Sequence, residues 1–379
     1  MTRADRSGFA AWWFSVDRVA LCVMLALIGI GLLMAFAASP AISGGPTSAG
    51  DFRYAMRQFS YAVMALGIVA VTSMLSLRQI KILGALVFAG ALVGSFLVLF
   101  LGEEMLGARR QLNLGPFNLQ PSEFLKPSFA ILAAAVLADT GKLPMPRPIL
   151  TFLLLLPALI ILLLQPDVGQ TGLLLCLWGA LLFFWGLPLL WVGAMAATAC
   201  GLAGAAYAIF PHVHNRVNQY LGHSETGYQA GLGLKAFAHG GLTGVGPGEG
   251  TIKYRLPDAH ADFVFATAGE EFGLLLCAAI AALFCVLTVR LLLRSAAARE
   301  GFAQLAGAGL AIVTAVQAFI NMGVAVSLLP AKGMTLPFIS YGGSSLLAMG
   351  LTMGLALALT RHRPKISVRA DGVLQWAKA

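Results

Sequence analysis

The chain has 379 residues, 59% of them hydrophobic and only 11% charged, with a mean hydropathy of +0.83. A soluble domain carries about 25% charged residues, so this composition excludes a water-solvated globule and makes lipid the solvent. The formal charge of +9 would suit nucleic acid only if it gathered on one soluble surface; its distribution along the chain assigns it to membrane orientation instead.

The pattern predicts an all-α polytopic membrane protein of about ten spans, a single integral membrane domain over residues 1–379. Residues 1–16 read as a loosely ordered cytoplasmic tail. The first apolar run, 17–38, has the length of a spanning helix rather than of a cleavable signal. Further runs at 54–76, 80–101, 123–139, 148–165, 169–187 and 189–210 complete helices 1–7 over 17–210, with Pro188 dividing the sixth from the seventh. Residues 211–262 form a large extracytoplasmic loop between helices 7 and 8. Loops beyond about 15 residues are uncommon unless functional or disordered, and the turn signals, Tyr220 and Tyr228 predict partial order here. Runs at 263–290, 302–323 and 337–360 supply helices 8–10 over 263–360, and 361–379 is a second loosely ordered tail. No repeat of fixed period is evident.

An even number of spans puts both termini on one side. With that side cytoplasmic, the inner segments hold 15 of the 25 Lys and Arg, including Arg18, Arg147, Arg290, Arg294 and Arg361, but five of the 16 acids. That asymmetry is the positive-inside signature, and nucleic acid is excluded as a partner. Cys22, Cys176, Cys200, Cys277 and Cys285 all lie in apolar runs, which makes them packing residues rather than a disulfide or metal framework.

Four outward-facing segments collect the unusual polar residues: Gly107–Lys126, Gln165–Thr171, Leu256–Gly273 and Leu329–Ser345. Ionisable groups at membrane depth are costly and mark a pathway or a site. Glu123 and Lys126 are three apart and can pair on one helical face. Asp258 follows Pro257 at an expected helix start and reads as a dipole partner. Asp262 enters an apolar helix beside Phe263 and Phe265, where partial desolvation raises a carboxyl pKa and gives basic character. Glu270 and Glu271 read as buried structural acids satisfied by neighbouring helices. Arg109, Arg110, Lys126 and Lys332 are basic groups on the disfavoured side, which suits an anionic ligand such as phosphate or pyrophosphate. His260 is two residues from Asp262 and reads as a satisfied surface histidine.

In order and spacing, Asn113–Lys126, Gln165–Thr171, Pro257–Gly273 and Leu329–Ser345 resemble the signatures of the SEDS family (shape, elongation, division and sporulation), from near the first helix to the last. The segment Lys332–Ser345, with Pro337-Phe338-Ile339-Ser340-Tyr341-Gly342-Gly343, is more similar to the division branch than to the elongation branch. The resemblance implies a SEDS-type fold and a peptidoglycan glycosyltransferase that polymerises lipid II, a disaccharide-pentapeptide on undecaprenyl pyrophosphate. It implies Asp262 as the general base that takes the proton from the acceptor's GlcNAc 4-hydroxyl. It implies Arg109, Arg110, Lys126 and Lys332 on the pyrophosphate, with Gln120, Glu123, Asp167, His260 and Ser340 completing the substrate-binding set. A divalent cation, Mg or Mn, can assist, although the sequence shows no dedicated cage for one. The implied partners are a class B penicillin-binding protein, other division-site membrane proteins and membrane lipid. The implied location is the inner membrane at the septum, with the site on the extracytoplasmic face.

Two positions depart from the family pattern: Gln111 stands where Trp is usual, and Ala261 where Thr is common between His260 and Asp262. Rival readings are a lipid II transporter, a non-catalytic scaffold and the elongation branch's polymerase. A transporter would spread its charges through the bilayer and often shows an inverted repeat, whereas these charges gather on one side. A scaffold leaves Asp262 unexplained.

Overall fold

The structure, a computed structural model, describes residues 8–42, 53–102, 104–105, 108–113, 115, 118–209, 214, 218, 225–256, 258–330, 333–361, 366–368 and 374–376. Each of the ten predicted apolar runs occurs as a helix. They are α2 (Arg18–Ile42), α3 (Arg53–Thr72), α4 (Leu77–Leu101), α5 (Ser122–Leu137), α6 (Arg147–Leu164), α7 (Val168–Trp185), α8 (Leu189–Ile209), α10 (Val264–Ala296), α11 (Gly301–Ala325) and α12 (Gly343–Thr360). Among the described residues, eight of them are long and apolar enough to cross a bilayer. At 16 residues α5 spans roughly 24 Å, short of the ~30 Å hydrocarbon core.

Local signals explain the ends. Ser76 and Gln79 form a reciprocal capping box at the start of α4. Asp167 caps α7 by accepting the Gln170 N–H at 3.2 Å, and Gly186, left-handed at φ 103°, closes that helix before Pro188.

The core is built around α12, which is buried along its whole length and packs against α3, α5 and α11. Its small residues Gly343, Gly350 and Gly354 leave room for α3 to come close, with Tyr61, Ala65 and Thr72 filling the space a side chain would take. Helix α10 lies against α2 and α11, and α5 against α4 and α11. At one end of the bundle Asp17, 4% exposed, accepts the Val19 and Ala20 N–H groups. It also pairs with Arg290 Nε at 2.7 Å and Arg294 Nε at 2.8 Å. Burial alone would raise its pKa; the Ala20 N–H and the two guanidiniums outweigh that and hold it below the usual carboxylate value. Arg361 Nε donates to Ser15 Oγ at 3.0 Å at the same end, so the beginning of α2 and the end of α12 share one side.

The structure corrects several boundaries. Part of the N-terminal tail is ordered: α1 (Gly8–Ser15) buries Trp12, whose Nε1 donates to Ser73 Oγ at 2.9 Å. The C-terminal tail contains a two-stranded hairpin, β5 (Ile366–Val368) with β6 (Leu374–Trp376). Short hairpins β1 (Glu104–Met105) with β2 (Ala108–Arg109) and β3 (Leu112–Asn113) with β4 (Asn118–Leu119) precede α5. The last helix starts at Gly343 rather than 337, because Phe338 sits at φ 66° in a turn. The long loop contains α9 (Glu225–Gly240) and a single 3-10 turn, Ile252–Tyr254. Four of the five cysteines face outward and only Cys277 is buried.

Helix α10 is broken at Gly273, with φ 79° and ψ 179°. The loop after α9 answers the freed backbone groups. Val245 N donates to Glu270 O and Gly246 N to Glu271 O, both at 3.0 Å. Leu274 N reaches Gly241 O at 3.0 Å and Leu275 N reaches Leu242 O at 3.2 Å. Non-helical backbone at membrane depth persists only when protein pairs it. The Glu270 and Glu271 side chains also point to this loop, and Glu270 also meets His239 on α9, so their partners come from the segment between helices 7 and 8 rather than from the spanning helices. At Gly273 a Cβ would meet Leu242 O at 2.3 Å in a backbone region open mainly to glycine. Gly273→Ala is therefore expected to cost at least 1–3 kcal/mol, read as a lower thermal midpoint of the detergent-solubilised protein.

Candidate active site

The N-termini of α5, α7, α10 and α12 converge at the end of the bundle opposite Asp17. Each carries a positive partial charge, which favours anions at this end of the bundle.

Asp262 stands among them on a turn that precedes α10. Asp258 begins the turn in a left-handed conformation, φ 51°, and its carbonyl accepts the N–H groups of Ala261, Asp262 and Phe263 at 2.9, 3.0 and 3.3 Å. Its carbonyl thus closes the turn that leads into α10, the helix whose dipole the sequence reading assigned to its side chain. The following carbonyls are all claimed. Thr267 Oγ1 donates to Ala259 O at 3.0 Å, Tyr341 N to His260 O at 3.0 Å, and Ser340 Oγ to Ala261 O. Asn321 Nδ2 donates to Asp262 O at 2.9 Å and to Met334 O at 2.7 Å. The backbone under Asp262 is thereby gripped from α10, α11 and the turn before α12.

The carboxylate itself is half-buried. Gly333 lies between it and Arg110: a Cβ on that glycine would be 3.6 Å from Asp262 Oδ2 and 3.5 Å from Arg110 Nη1. Desolvation chiefly, with the charges of Asp258 and Asp167, pushes the Asp262 carboxyl up to about 7 against the opposing pull of Arg110. Arg110 donates to Pro166 O at 3.0 Å and holds its Nε 4.0 Å from Asp167 Oδ2. Asp167, 3% exposed, has its pKa raised by burial, and Arg110 and the Gln170 N–H work against that rise.

A second layer lies deeper. Lys126, with no exposed surface, donates to Glu123 Oε2 and Gln317 Oε1, each at 2.7 Å. Gln170 Nε2 donates to Glu123 Oε1 at 2.6 Å, and Gln317 Nε2 reaches Thr335 O at 3.1 Å. Glu123 and Lys126 therefore form the expected pair but face inward, with their charged groups held by Gln170 and Gln317. Ser340 is likewise occupied: it accepts Leu336 N at 2.7 Å while holding Ala261. Gln120 sits at the mouth, its N–H donating to Ser344 Oγ at 2.8 Å. Arg109 is exposed and donates to Leu99 O at 3.4 Å. Lys332 lies outside the described residues.

His260 is half-buried rather than superficial, in an aromatic cluster with Tyr54 (centroids 6.1 Å apart) and Tyr341 (5.6 Å). Burial holds its pKa down, with Asp258 opposing. The loops alone did not reveal Asn321 and Gln317. The signal for them was available, since both are amide residues four apart deep in a predominantly apolar helix. Among the described residues no set of three or more His, Cys, Asp or Glu converges as a metal site.

Because the folded-state value of Asp262 lies above that of an ordinary carboxylate, its protonated form is favoured by folding. That contribution is complete below about pH 4 and lost as pH rises through about 7. Asp262→Asn is expected to raise the melting temperature at pH 8 by roughly 2–4 °C and to lose this advantage near pH 4. Asp258→Asn should move the acid limb of the pH–rate profile to lower pH, and Arg110→Gln should move it to higher pH.

Residues 18–365 match the sequence profile of a family described as cell cycle protein and named for FtsW, RodA and SpoVE. A probable peptidoglycan glycosyltransferase FtsW from Caulobacter vibrioides is 40% identical over 96% of this chain and 93% of its own length. Another from Halorhodospira halophila is 34% identical over 93% of each. Among solved structures, a chain from work on the structural coordination of polymerization and crosslinking by a peptidoglycan synthase complex superposes with a TM-score of 0.77. It is 27% identical and covers 92% of this chain and 98% of that one. The rod shape determining protein RodA of Thermus thermophilus gives 0.66 at 26% identity, covering 92% and 97%.

Proposed function

The chain belongs to the FtsW, RodA and SpoVE family of cell cycle proteins, and from that membership we propose that it polymerises lipid II with Asp262 as general base. It is a multi-pass membrane protein and a peptidoglycan glycosyltransferase. The observation that carries the catalytic assignment is the turn under Asp262. A carboxylate with a pKa of about 7 sits on backbone whose carbonyls from Asp258 to Asp262 are all hydrogen-bonded.

A base works best when its pKa lies near the working pH and its position is fixed. Asp262 accepts the proton of the acceptor's GlcNAc 4-hydroxyl. The oxygen then forms a bond to C1 of the donor's MurNAc, and the bond from C1 to the phosphate oxygen breaks. Undecaprenyl pyrophosphate leaves with that electron pair. Arg110, the Arg109 and Lys332 positions and the converging helix N-termini stabilise its charge. A divalent cation, Mg or Mn, would arrive on the pyrophosphate oxygens rather than in a protein cage.

The basic excess near Asp17 supports a cytoplasmic face there and an extracytoplasmic one at Asp262. The synthase-complex neighbour supports a crosslinking partner, a class B penicillin-binding protein. The FtsW relatives support work at the division septum alongside other division-site membrane proteins. The test is polymerisation of purified lipid II with the crosslinking partner present. The native chain should make glycan strands, and Asp262→Asn should bind substrate with turnover reduced about 10²–10⁴-fold. If neither polymerises and both carry labelled lipid II across vesicle membranes, the protein is a transporter.

A further inference from the structure

Lys253 is a lysine from the long loop whose side chain is entirely buried. Its ammonium has three partners from three parts of the chain. It pairs with Glu271 on the first half of α10, donates to Ala37 O near the end of α2 at 2.9 Å, and donates to Gly248 O at 3.0 Å. The same loop segment is tied to the adjacent acid. Glu270 accepts the N–H groups of Thr251, Ile252 and Lys253 at 2.8, 2.8 and 3.0 Å, and His239 Nδ1 lies 3.0 Å from it. Glu271 also takes the Gly248 N–H at 3.2 Å.

These bonds fall on the short helical segment Val264–Phe272. It is cut off from the rest of α10 by the break at Gly273 and begins two residues after Asp262. The break turns its axis away from the rest of α10, so its orientation rests on lateral packing, such as Phe237 against Phe265 and Gly269, and on what its two ends touch. One end is gripped by Asn321 and Ser340, and the other by the loop through Glu270, Glu271 and Lys253.

We propose that Lys253 is a positioning residue: through Glu271 it fastens the Asp262-bearing half-helix to the end of α2, and so sets where the base stands. A charge with no exposed surface and three partners suits a strap rather than a substrate contact. The inference rests on the glycosyltransferase reading only for its kinetic consequence. The mechanical part stands without it, and the test separates the two.

Hydrogen exchange is measured on the full chain in nanodiscs for the native protein, for Lys253→Met, and for Lys253→Met combined with Glu271→Gln. The double variant leaves no unpaired buried carboxylate, so it keeps the comparison interpretable where the single variant misfolds. In the double variant, exchange over 241–272 should rise at least tenfold, while α3 and α12 stay protected. With the crosslinking partner and lipid II, its kcat should fall at least tenfold with KM unchanged, a split that general loosening of the bundle would not give. Unchanged exchange over 241–272 overturns the proposal. Raised exchange with an unchanged kcat overturns it as well. If the native chain itself shows no polymerisation, the function reading fails while the exchange result still decides the strap.

Discussion

Backbone that leaves a helix inside a packed bundle has no water to pair with, and each unpaired N–H or C=O there costs several kcal/mol. The chain meets this constraint twice in the stretch from Asp258 to Leu275. At the Gly273 break the loop after α9 exchanges four backbone bonds with the interrupted helix. At the turn before α10, side chains from Thr267, Asn321 and Ser340 and the Tyr341 N–H take up carbonyls that no helix uses. The donors that make the irregular backbone tolerable are the same ones that orient Asp262. Stability and positioning cannot be separated in this region, since losing one donor leaves an orphaned carbonyl and a looser carboxylate together.

Enclosure also sets the chemistry. Packing three helix termini and the turn before α12 around Asp262 removes water from the carboxylate, and the Asp258 and Asp167 charges reinforce the rise. Arg110 pulls the other way, yet it is shared with Asp167 and Pro166 and does not lock Asp262 in an ion pair. A direct bidentate pair would hold the carboxylate ionised at low pH and spend its basicity. The offset arrangement leaves a carboxyl with a pKa of about 7 near a cation whose partners are Pro166 and Asp167. The deeper pair of Lys126 with Glu123 is neutral as a unit and hydrogen-bonded to Gln317 and Gln170, the condition under which buried charge is tolerable.

Much of the helical scaffold was legible in the sequence, because runs of about 20 apolar residues have few alternatives. The helix endings near the site were less so. Pro337 through Gly342 read as the start of the last helix, but Phe338 at φ 66° turns the chain and places Ser340 under Ala261. Hydropathy cannot see this, since the turn is as apolar as the helix. Asp262 was legible because a carboxylate in an apolar run needs a reason. Asn321 carries no charge to flag it, and Lys253 reads as one polar residue among many in its loop. The value of each comes from partners remote in sequence: Asn321 holds a carbonyl 59 positions away, and Lys253 one that is 216 positions away. The same distance effect turned Lys126 from an expected ligand contact into a buried internal one.

The claim at the centre is that the fold makes Asp262 a base poised near neutrality. It is tested most directly by titrating that single carboxyl group, with carbon-13 aspartate followed by NMR or infrared difference spectroscopy and Asp262→Asn identifying the signal. A midpoint of about 7 is the result the account predicts. A midpoint near the ordinary carboxylate value of about 3.9 would contradict it, because Asp262 would then be an ordinary solvated acid.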